Sequence, residues 1–316
     1  MLVQKASVPP ENLPYHILDF YWDAFTPHLK AYDITKEEVV ELSLSILAMT
    51  VSEERQCIGS FHDGYRPCPS HRSVGTFTQC RACMGSWART YRCVFEPQCA
   101  GNGCEHRDFC GRHHVVYLAF YGTLVKVGMT SAGRLEQRGI EQGADAIAPL
   151  FMCRDRQEAR ALEKETSRRF KLPQEVLVTR IASQWTRRPS RAPISNAFTT
   201  YRSRIAAWRD VMQEELIFLD QYPIHAYPRS LPTLVRTSGH HDGEVLGIKG
   251  RYMVFRLSGG ESRLLDLSDL PSRWVATSSS FEPDEEGIPR MVCKRMSQRP
   301  VEEAPHSLRH DQRTLY

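Results

Sequence analysis

The chain has 316 residues, a formal net charge of +4, 41% hydrophobic residues and 25% charged residues. This length and composition predict two or three ordinary globular units, and no run approaches the eighteen or so apolar residues that a membrane-spanning helix needs. The first thirty residues lack the basic start, apolar core and cleavage site of a secretory signal. We therefore expect a cytoplasmic protein with no membrane partner.

The N-terminal part, residues 1–56, is predicted to begin with an arm at 1–12 and to continue as an α/β segment. Its pattern predicts a helix near Lys36 to Leu47 and then a strand that leads into the first cysteine. Four aromatic residues are interpreted as buried core, with stacking on bases as the alternative: Phe20, Tyr21, Trp22 and Phe25.

Residues 57–112 form a predicted metal-binding module, because eight of the ten cysteines lie there. In a reducing compartment such a cluster more often binds metal than forms disulfides. Glycine, proline and polar residues separate the cysteines, so the segment lacks the apolar residues for a normal core. Metal would supply the missing stability.

Eight thiolates fill two tetrahedral four-cysteine sites, which predicts about two structural zinc ions. The C-x-x-C pair is the most specific signal in the module, and the spacing of the other cysteines is less diagnostic. We assign one ion to Cys57, Cys68, Cys80 and Cys83. We assign the other ion to Cys93, Cys99, Cys104 and Cys110. An iron–sulfur cluster on the same ligands stays open, as does replacement of a cysteine by one of four histidines: His62, His71, His106 or His113.

Residues 113–183 alternate in a regular order. Two strands are predicted in "HVVYLAFYGTLVKVGMT", followed by a helix from Arg134 to Gln142 that Gly143 ends. A third strand, "ADAIAPLFMC", precedes a helix with apolar residues at helical spacing, which leaves arginines on its outer face. The predicted order is strand, strand, helix, strand, helix.

Basic residues are concentrated between positions 151 and 210. This stretch has 14 Lys or Arg against 6 Asp or Glu, a surplus of 14 − 6 = 8, which is larger than the net charge of the whole chain. A concentrated basic stretch favours a phosphate-bearing partner such as DNA or RNA. The alternative is a solvated helix face.

The rest of the chain divides by composition into three parts. Residues 184–229 are predicted to be a basic linker followed by a long amphipathic helix that starts near Asn196. Residues 230–276 alternate apolar and polar residues around glycine-rich turns, which predicts a small β-domain. Residues 277–316 are polar and charged, which predicts a disordered tail.

The segment 114–171 resembles the GIY-YIG nuclease superfamily. The residues that carry this resemblance are "VVYL", "KVGMT" in the variant where the second motif reads K-[IV]-G, an arginine on the next helix and Glu163 on a later helix. With the upstream cysteines and "VLGIKGRYMVFRL", the chain also resembles an uncharacterised family of archaeal and bacterial proteins with a domain of unknown function, over most of its length.

The superfamily resemblance implies hydrolysis of a phosphodiester with one divalent ion, Mg²⁺ or Mn²⁺. Tyr117 would act at the attacking water, Arg138 or Arg134 would hold the phosphate, and Glu163 would bind the metal. Lys126 stands where the second motif usually has tyrosine, and its charge could assist the phenol, whose ordinary pKa is near 10. The alternative for Lys126 is a strand residue that points to solvent.

Smaller roles follow for three further residues of this segment. Gly128 would let the backbone approach closely at a strand end, or would simply permit a turn. Gln142 and Asp145 could line the same cleft, although the helix stop at Gly143 explains that sequence equally well.

The predicted fold class is α+β: a loop-rich zinc-binding module, a GIY-YIG-like small mixed sheet with helices at 113–183, and a small C-terminal β-domain. Two functional hypotheses follow. The first is a metal-dependent nuclease that grips DNA or RNA. The second is a zinc-stabilised nucleic-acid-binding protein that keeps the scaffold without its chemistry, which the altered second motif favours. A protein-interaction scaffold with structural zinc would leave the basic surplus unexplained.

Overall fold

The structure is a computed structural model that describes residues 12–45, 47–85, 93, 96 and 107–277. The predicted arm at 1–12 and the predicted disordered tail at 277–316 lie almost wholly outside the described residues. Two of the predicted zinc ligands, Cys99 and Cys104, lie outside them as well.

A nine-stranded sheet is the largest element of the fold. Its strand order is β3-β2-β1-β13-β4-β10-β11-β12-β9, and its pairings are antiparallel except for β12 with β9. The strands are β1 (Tyr15–Asp23), β2 (Thr26–Asp33), β3 (Glu38–Leu42), β4 (Leu47–Val51), β9 (Thr233–Leu234), β10 (Gly239–Lys249), β11 (Tyr252–Arg256), β12 (Ser262–Asp266) and β13 (Trp274–Thr277).

The predicted helix near Lys36 to Leu47 is wrong, because this stretch forms β3 and the start of β4. Strand β3 pairs with β2 and buries Val40 and Leu42, which alternate with more exposed neighbours. The β-branched pair Val39–Val40 suits such a half-buried pleated surface. Apolar residues at short spacing fit both a helix and a strand, and here the pairing with β2 decides between them.

The two ends of the described chain meet in this sheet. Strand β13 lies between β1 and β4, where Tyr15 pairs with Val275 on one side and Val51 pairs with Val275 on the other. The N-terminal segment and the predicted C-terminal β-domain are therefore joined by backbone hydrogen bonds, although residues 57–229 lie between them in sequence. The division of the chain into domains stays a prediction.

A second, four-stranded sheet has the order β6-β5-β7-β8 and antiparallel pairings. Its strands are β5 (His114–Tyr121), β6 (Leu124–Ser131), β7 (Ala146–Cys153) and β8 (Ile217–Phe218). All eight residues of β5 are buried. Tyr117, Ala119 and Tyr121 face a core shared with the large sheet, whereas Val116 and Leu118 face a second core. A strand covered on both faces reads as a continuous apolar run, as this one does.

Four helices of the described chain exceed one turn: α1 (Leu135–Gln142), α2 (Arg156–Phe170), α3 (Val178–Gln184) and α4 (Arg191–Ala206). With β5, β6 and β7, helices α1 and α2 have the predicted strand, strand, helix, strand, helix order. The predicted helix over 196–219 is wrong at its C-terminal end, because α4 stops at Ala206 and Ile217–Phe218 is strand β8. Among the described residues, no helix is long and apolar enough to span a membrane.

Helix α1 lies between the two sheets and contacts strands of both. Its C-terminal cap, Gly143, has φ of 72° in the left-handed region and donates its N–H to the carbonyls of Gly139 and Ile140. This cap touches Gly250, the turn residue between β10 and β11. Helix α1 therefore fixes the distance between the small sheet and the large one.

Candidate functional site

Four cysteine sulfurs converge at the start of the cysteine-rich module. The sulfurs of Cys57, Cys68, Cys80 and Cys83 all lie within 4.8 Å of one another. Around a tetrahedral zinc ion with Zn–S bonds of about 2.3 Å, the sulfurs would be about 3.8 Å apart. The cluster could therefore hold one metal ion and is consistent with zinc. This is the ligand set that the sequence predicts for the first ion.

Backbone N–H groups bond the sulfurs of two cysteines in this cluster. The N–H groups of Gly59 and Cys80 donate to the sulfur of Cys57 at 3.4 and 3.1 Å. Burial acts to raise the pKa of Cys68, but backbone N–H groups of the following loop bond its sulfur, and the resulting pKa is below its ordinary value. Burial raises the pKa of Cys57 to about 12 and raises that of Cys83 as well. The thiolate is the form that binds zinc, so binding of the ion would release protons from these two thiols.

The cysteine cluster is fastened to the large sheet through Gln56. The backbone N–H of Gln56 donates to the carbonyl of Ser272 at 2.7 Å, and its side chain accepts from Trp274 Nε1 at 3.0 Å. The indole of Trp274 stacks on His16, with ring centroids 4.4 Å apart. Gln56, which precedes the first ligand Cys57, is thus held by β1 and by the chain that leads into β13.

The second predicted ligand set is only half described. Cys93 and Cys110 are partly buried, whereas Cys99 and Cys104 lie outside the described residues. Among the described residues, the group of three or more metal-ligating side chains close enough to share an ion is the four-cysteine cluster. The second zinc ion stays a prediction.

Tyr117 and Gly128 form a pair across strands β5 and β6. They face each other in the register, and a Cβ atom on Gly128 would lie 2.6 Å from the Tyr117 hydroxyl oxygen. Gly128 therefore makes room for the phenol ring. The hydroxyl donates to Gln142 Oε1 at 3.1 Å. Burial raises the pKa of Tyr117 to about 12, against the opposing charge of Arg138.

The two arginines that could hold the phosphate, Arg134 and Arg138, share one carboxylate. Arg134 donates to both oxygens of Glu141, at 2.8 and 3.1 Å, and Arg138 Nη1 lies 3.7 Å from Glu141 Oε2. Arg138 is buried and Arg134 is half-buried. Two arginines four residues apart on a helix lie on one face, as their spacing predicts. Glu141 sets the position of both guanidinium groups.

Glu163 is buried on α2 among cationic side chains. Arg160 Nη1 donates to Glu163 Oε2 at 2.6 Å. Burial raises the pKa of Glu163, while the charges of Arg160, Lys126 and Arg138 oppose this rise. Lys126 is also buried, which excludes the predicted alternative of a side chain in solvent. Burial and then the charge of Arg138 lower the pKa of Lys126 to about 7, although Glu163 acts to raise it.

The predicted residues are therefore electrostatically coupled. The charges of Arg138 and Glu163 both act on the phenol of Tyr117, and the same two charges act on Lys126. We name Tyr117, Lys126, Arg138 and Glu163 the buried polar cluster. Asp145 lies apart from it, since this residue pairs with Lys249 and accepts from the backbone N–H of Gly122 at 2.5 Å.

A cleft of about 70 Å³ opens beside the buried polar cluster, between the two sheets. Aromatic rings from both sheets form much of its wall. Its charged lining comes from three cations and two carboxylates: Lys126, Arg138, Arg251, Glu141 and Glu175. A cavity needs about 10–15 Å³ to hold one water, so the cleft can accept a group larger than one water.

Sequence reasoning missed four residues of this region: Glu141, Arg160, Gln174 and Arg251. Gln174 accepts from Lys126 Nζ through its carbonyl at 3.3 Å and from Arg160 through its side chain at 3.2 Å. Arg160 has a sequence signal, because it precedes Glu163 by three residues on a predicted helix. No local pattern brings Arg251 to the cleft, since strand pairing in the large sheet carries it there.

The fold and its sites define an α+β protein with a four-cysteine cluster that could hold a metal ion and a buried polar cluster beside a cleft. The chain belongs to the family described as protein of unknown function (DUF2797), which matches residues 45–266. Comparison with curated proteins and with solved structures gave no match.

Proposed function

We propose that the protein is a zinc-stabilised nucleic-acid-binding protein whose GIY-YIG-like unit holds a phosphate group in the cleft beside Lys126 and Arg138. One observation carries the proposal: three buried or half-buried cations, Lys126, Arg138 and Arg160, surround the single carboxylate of Glu163. The adjoining cleft has three cations against two carboxylates, a surplus of one positive charge when Lys126 is protonated. Such a surplus at a partly dry site favours an anion.

The surroundings of Glu163 argue for phosphate binding more than for a catalytic divalent ion. Arg160 bonds one oxygen of this carboxylate, Oε2, and the charges of Lys126 and Arg138 act on it as well. Each added positive charge repels a divalent cation and attracts a phosphate.

A second candidate, a metal-dependent nuclease, rests on a different observation. The tyrosine, arginine and glutamate that the GIY-YIG resemblance implies act electrostatically on one another. With Mg²⁺ or Mn²⁺ on Glu163, Arg138 would stabilise charge on a phosphate. Tyr117 would be a poor general base at neutral pH, because its pKa of about 12 keeps the phenol protonated.

Binding and cleavage of the same oligonucleotides separate the two candidates. Labelled single-stranded and duplex DNA and RNA are titrated at several salt concentrations and then incubated with Mg²⁺ or Mn²⁺. We expect binding that weakens with salt, weaker binding by Arg138→Gln, and no cleavage. Arg134 still pairs with Glu141 in Arg138→Gln, which keeps that carboxylate satisfied.

Glu163→Gln and Glu165→Gln form the matched pair for the cleavage assay. Both residues lie on α2, but Glu163 is buried and Glu165 is exposed. Metal-dependent cleavage that is lost in Glu163→Gln and kept in Glu165→Gln would establish the nuclease. Absence of binding to every oligonucleotide at low salt would overturn both candidates.

A further inference from the structure

A surface rich in arginine and aromatic side chains lies away from the cleft, where the C-terminal ends of α2 and α4 come together. We name it the arginine–aromatic face; its residues are Arg168, Arg169, Phe170, Tyr201, Arg202, Arg204, Trp208 and Arg209. Its rings are partly exposed, and all its arginines except the half-buried Arg202 are exposed.

Guanidinium groups lie over the rings of this face. Arg169 lies 5.3 Å from the ring centroid of Trp208, and Arg204 lies 5.9 Å from that of Phe170 and 5.7 Å from that of Tyr201. The rings of Phe170 and Trp208 pack 5.6 Å apart. The face therefore presents flat surfaces, a ring or a guanidinium plane, next to positive charge.

The arginines of this face differ from those of the large sheet in their partners. Arg251, Arg256, Arg263 and Arg273 each form an ion pair with a nearby carboxylate. Among the described residues, none of the five arginines of the arginine–aromatic face pairs with a carboxylate; Arg202 instead bonds the side-chain oxygen of Gln213 at 2.9 Å. Helix C-termini favour cations, which accounts for arginines at these two ends. The rings of Phe170, Tyr201 and Trp208 pack on one side against the second core, which does not account for their exposed part.

We propose that the arginine–aromatic face binds single-stranded nucleic acid, with its arginines on the phosphates and at least one base stacked on the Arg169–Trp208 pair. Unpaired bases stack on aromatic rings and on guanidinium planes, and a duplex hides these base faces. An anionic lipid surface would use the charge but leave the flat rings without a function. This inference rests on the proposed nucleic-acid binding and adds its strand type and its surface.

The test compares two double variants that remove the same charge. Arg169→Gln/Arg204→Gln removes two arginines of the face, and Arg256→Gln/Arg263→Gln removes two from the large sheet. Binding of a labelled 15-nucleotide deoxythymidine strand and of a hairpin duplex is measured by anisotropy from low to moderate salt. We expect wild type to prefer the single strand. The plot of log K against log salt has a negative slope, and the face variant should make it shallower by about 1.4, since each phosphate contact contributes about 0.7. The control should leave the slope unchanged.

Trp208→Leu tests the stacking part. We expect weaker binding, on the order of tenfold, with an unchanged salt slope, because stacking releases no counterions. Trp208→Phe, which keeps a ring against Phe170, should restore most of the affinity, and circular dichroism of both variants shows whether a loss comes from unfolding.

The outcomes distinguish this inference from the proposed function. Equal effects of the two double variants, equal affinity for strand and duplex, or competition by phosphatidylserine vesicles would overturn the face while leaving the cleft as a phosphate site. Wild-type protein that binds no oligonucleotide at low salt would overturn the proposed function as well.

Discussion

At the scale of single residues, the contact between Tyr117 and Gly128 governs the packing of the buried polar cluster. Gly128→Ala would put a methyl group 2.6 Å from the Tyr117 hydroxyl oxygen and 2.7 Å from Cζ, so the ring would have to move. We expect a loss of about 1–3 kcal/mol in the free energy of unfolding. Urea unfolding of the variant and of wild type measures it.

A double-mutant cycle identifies the cause of that loss. In a Tyr117→Leu background the same Gly128→Ala change should cost much less, because the ring that it strikes is gone. Gly133→Ala is the control, since no atom lies within 4 Å of the Cβ position there. An equal cost of Gly128→Ala in both backgrounds would show that the glycine serves the backbone and not the phenol.

Lys126 gives the fold a pH dependence that can be predicted with its sign. Its pKa is about 7 in the folded chain, against an ordinary value of 10.5. Between these values the unfolded chain holds a proton that the folded chain lacks, so stability rises with pH in this window. The cost of burying Lys126 is full below pH 7 and fades toward pH 10.

Lys126→Met should therefore stabilise the protein at pH 6.5–7, by an amount on the order of a few kcal/mol, and by less at pH 9.5. Urea unfolding of the variant and of wild type at both pH values measures the gain. Lys164→Met, at an exposed position on α2, is the control without such a change. A gain that is the same at both pH values would contradict the lowered pKa.

At the scale of elements, two glycines let the cap of α1 and the β10–β11 turn lie in close contact: Gly143 in the cap and Gly250 in the turn. A Cβ atom on Gly250 would lie 2.5 Å from the backbone nitrogen of Gly143, and backbone cannot move aside as a flexible side chain can. Gly250→Ala should cost more than about 1–3 kcal/mol, the range for overpacking alone, because it adds strain at a φ of 57°.

Gly260→Ala separates these two effects. Its φ of 86° carries the same kind of backbone strain, but no atom lies within 4 Å of its Cβ position. The difference in thermal unfolding between the two variants therefore reports the contact of α1 with the large sheet. Equal destabilisation by Gly250→Ala and Gly260→Ala would show that the close approach contributes nothing.

Elements whose signal is local follow from the sequence, and elements that depend on distant pairing do not. The helix stop at Gly143 is one of the former, because a left-handed cap has a residue type of its own. Strand β3 is one of the latter, since its partner β2 decides its conformation. The same distinction holds in the candidate site. The C-x-x-C pair and the "VVYL…KVG" hairpin have local sequence signals, whereas the fold brings Arg251 to the cleft and Gln174 to Lys126 and Arg160.

At the scale of the whole molecule, the four-cysteine cluster is connected to the part of the large sheet where β13 pairs with β1 and β4. Gln56 bonds Ser272 and Trp274 next to the first cysteine, and the hydroxyl of Ser272 donates to the carbonyl of Thr78 at 3.3 Å. The loops that carry the ligands have few buried apolar residues of their own. A metal ion in the cluster would therefore stabilise both the module and the pairing of β13 with β1 and β4.

Removal of the metal tests this connection. Purified protein should contain about one zinc ion for the described cluster and a second for the other predicted set. Strong visible absorbance would instead identify an iron–sulfur cluster, and absence of metal would contradict the site.

Cys80→Ala should lower the zinc content by about one ion, whereas Cys153→Ala, at a buried cysteine of β7 outside the cluster, should leave it unchanged. Chelation should speed amide hydrogen exchange at 57–85 and at Trp274 in β13, because Gln56 transmits the loss to the sheet. Faster exchange confined to the ligand loops would show that the large sheet holds its two ends together without the metal.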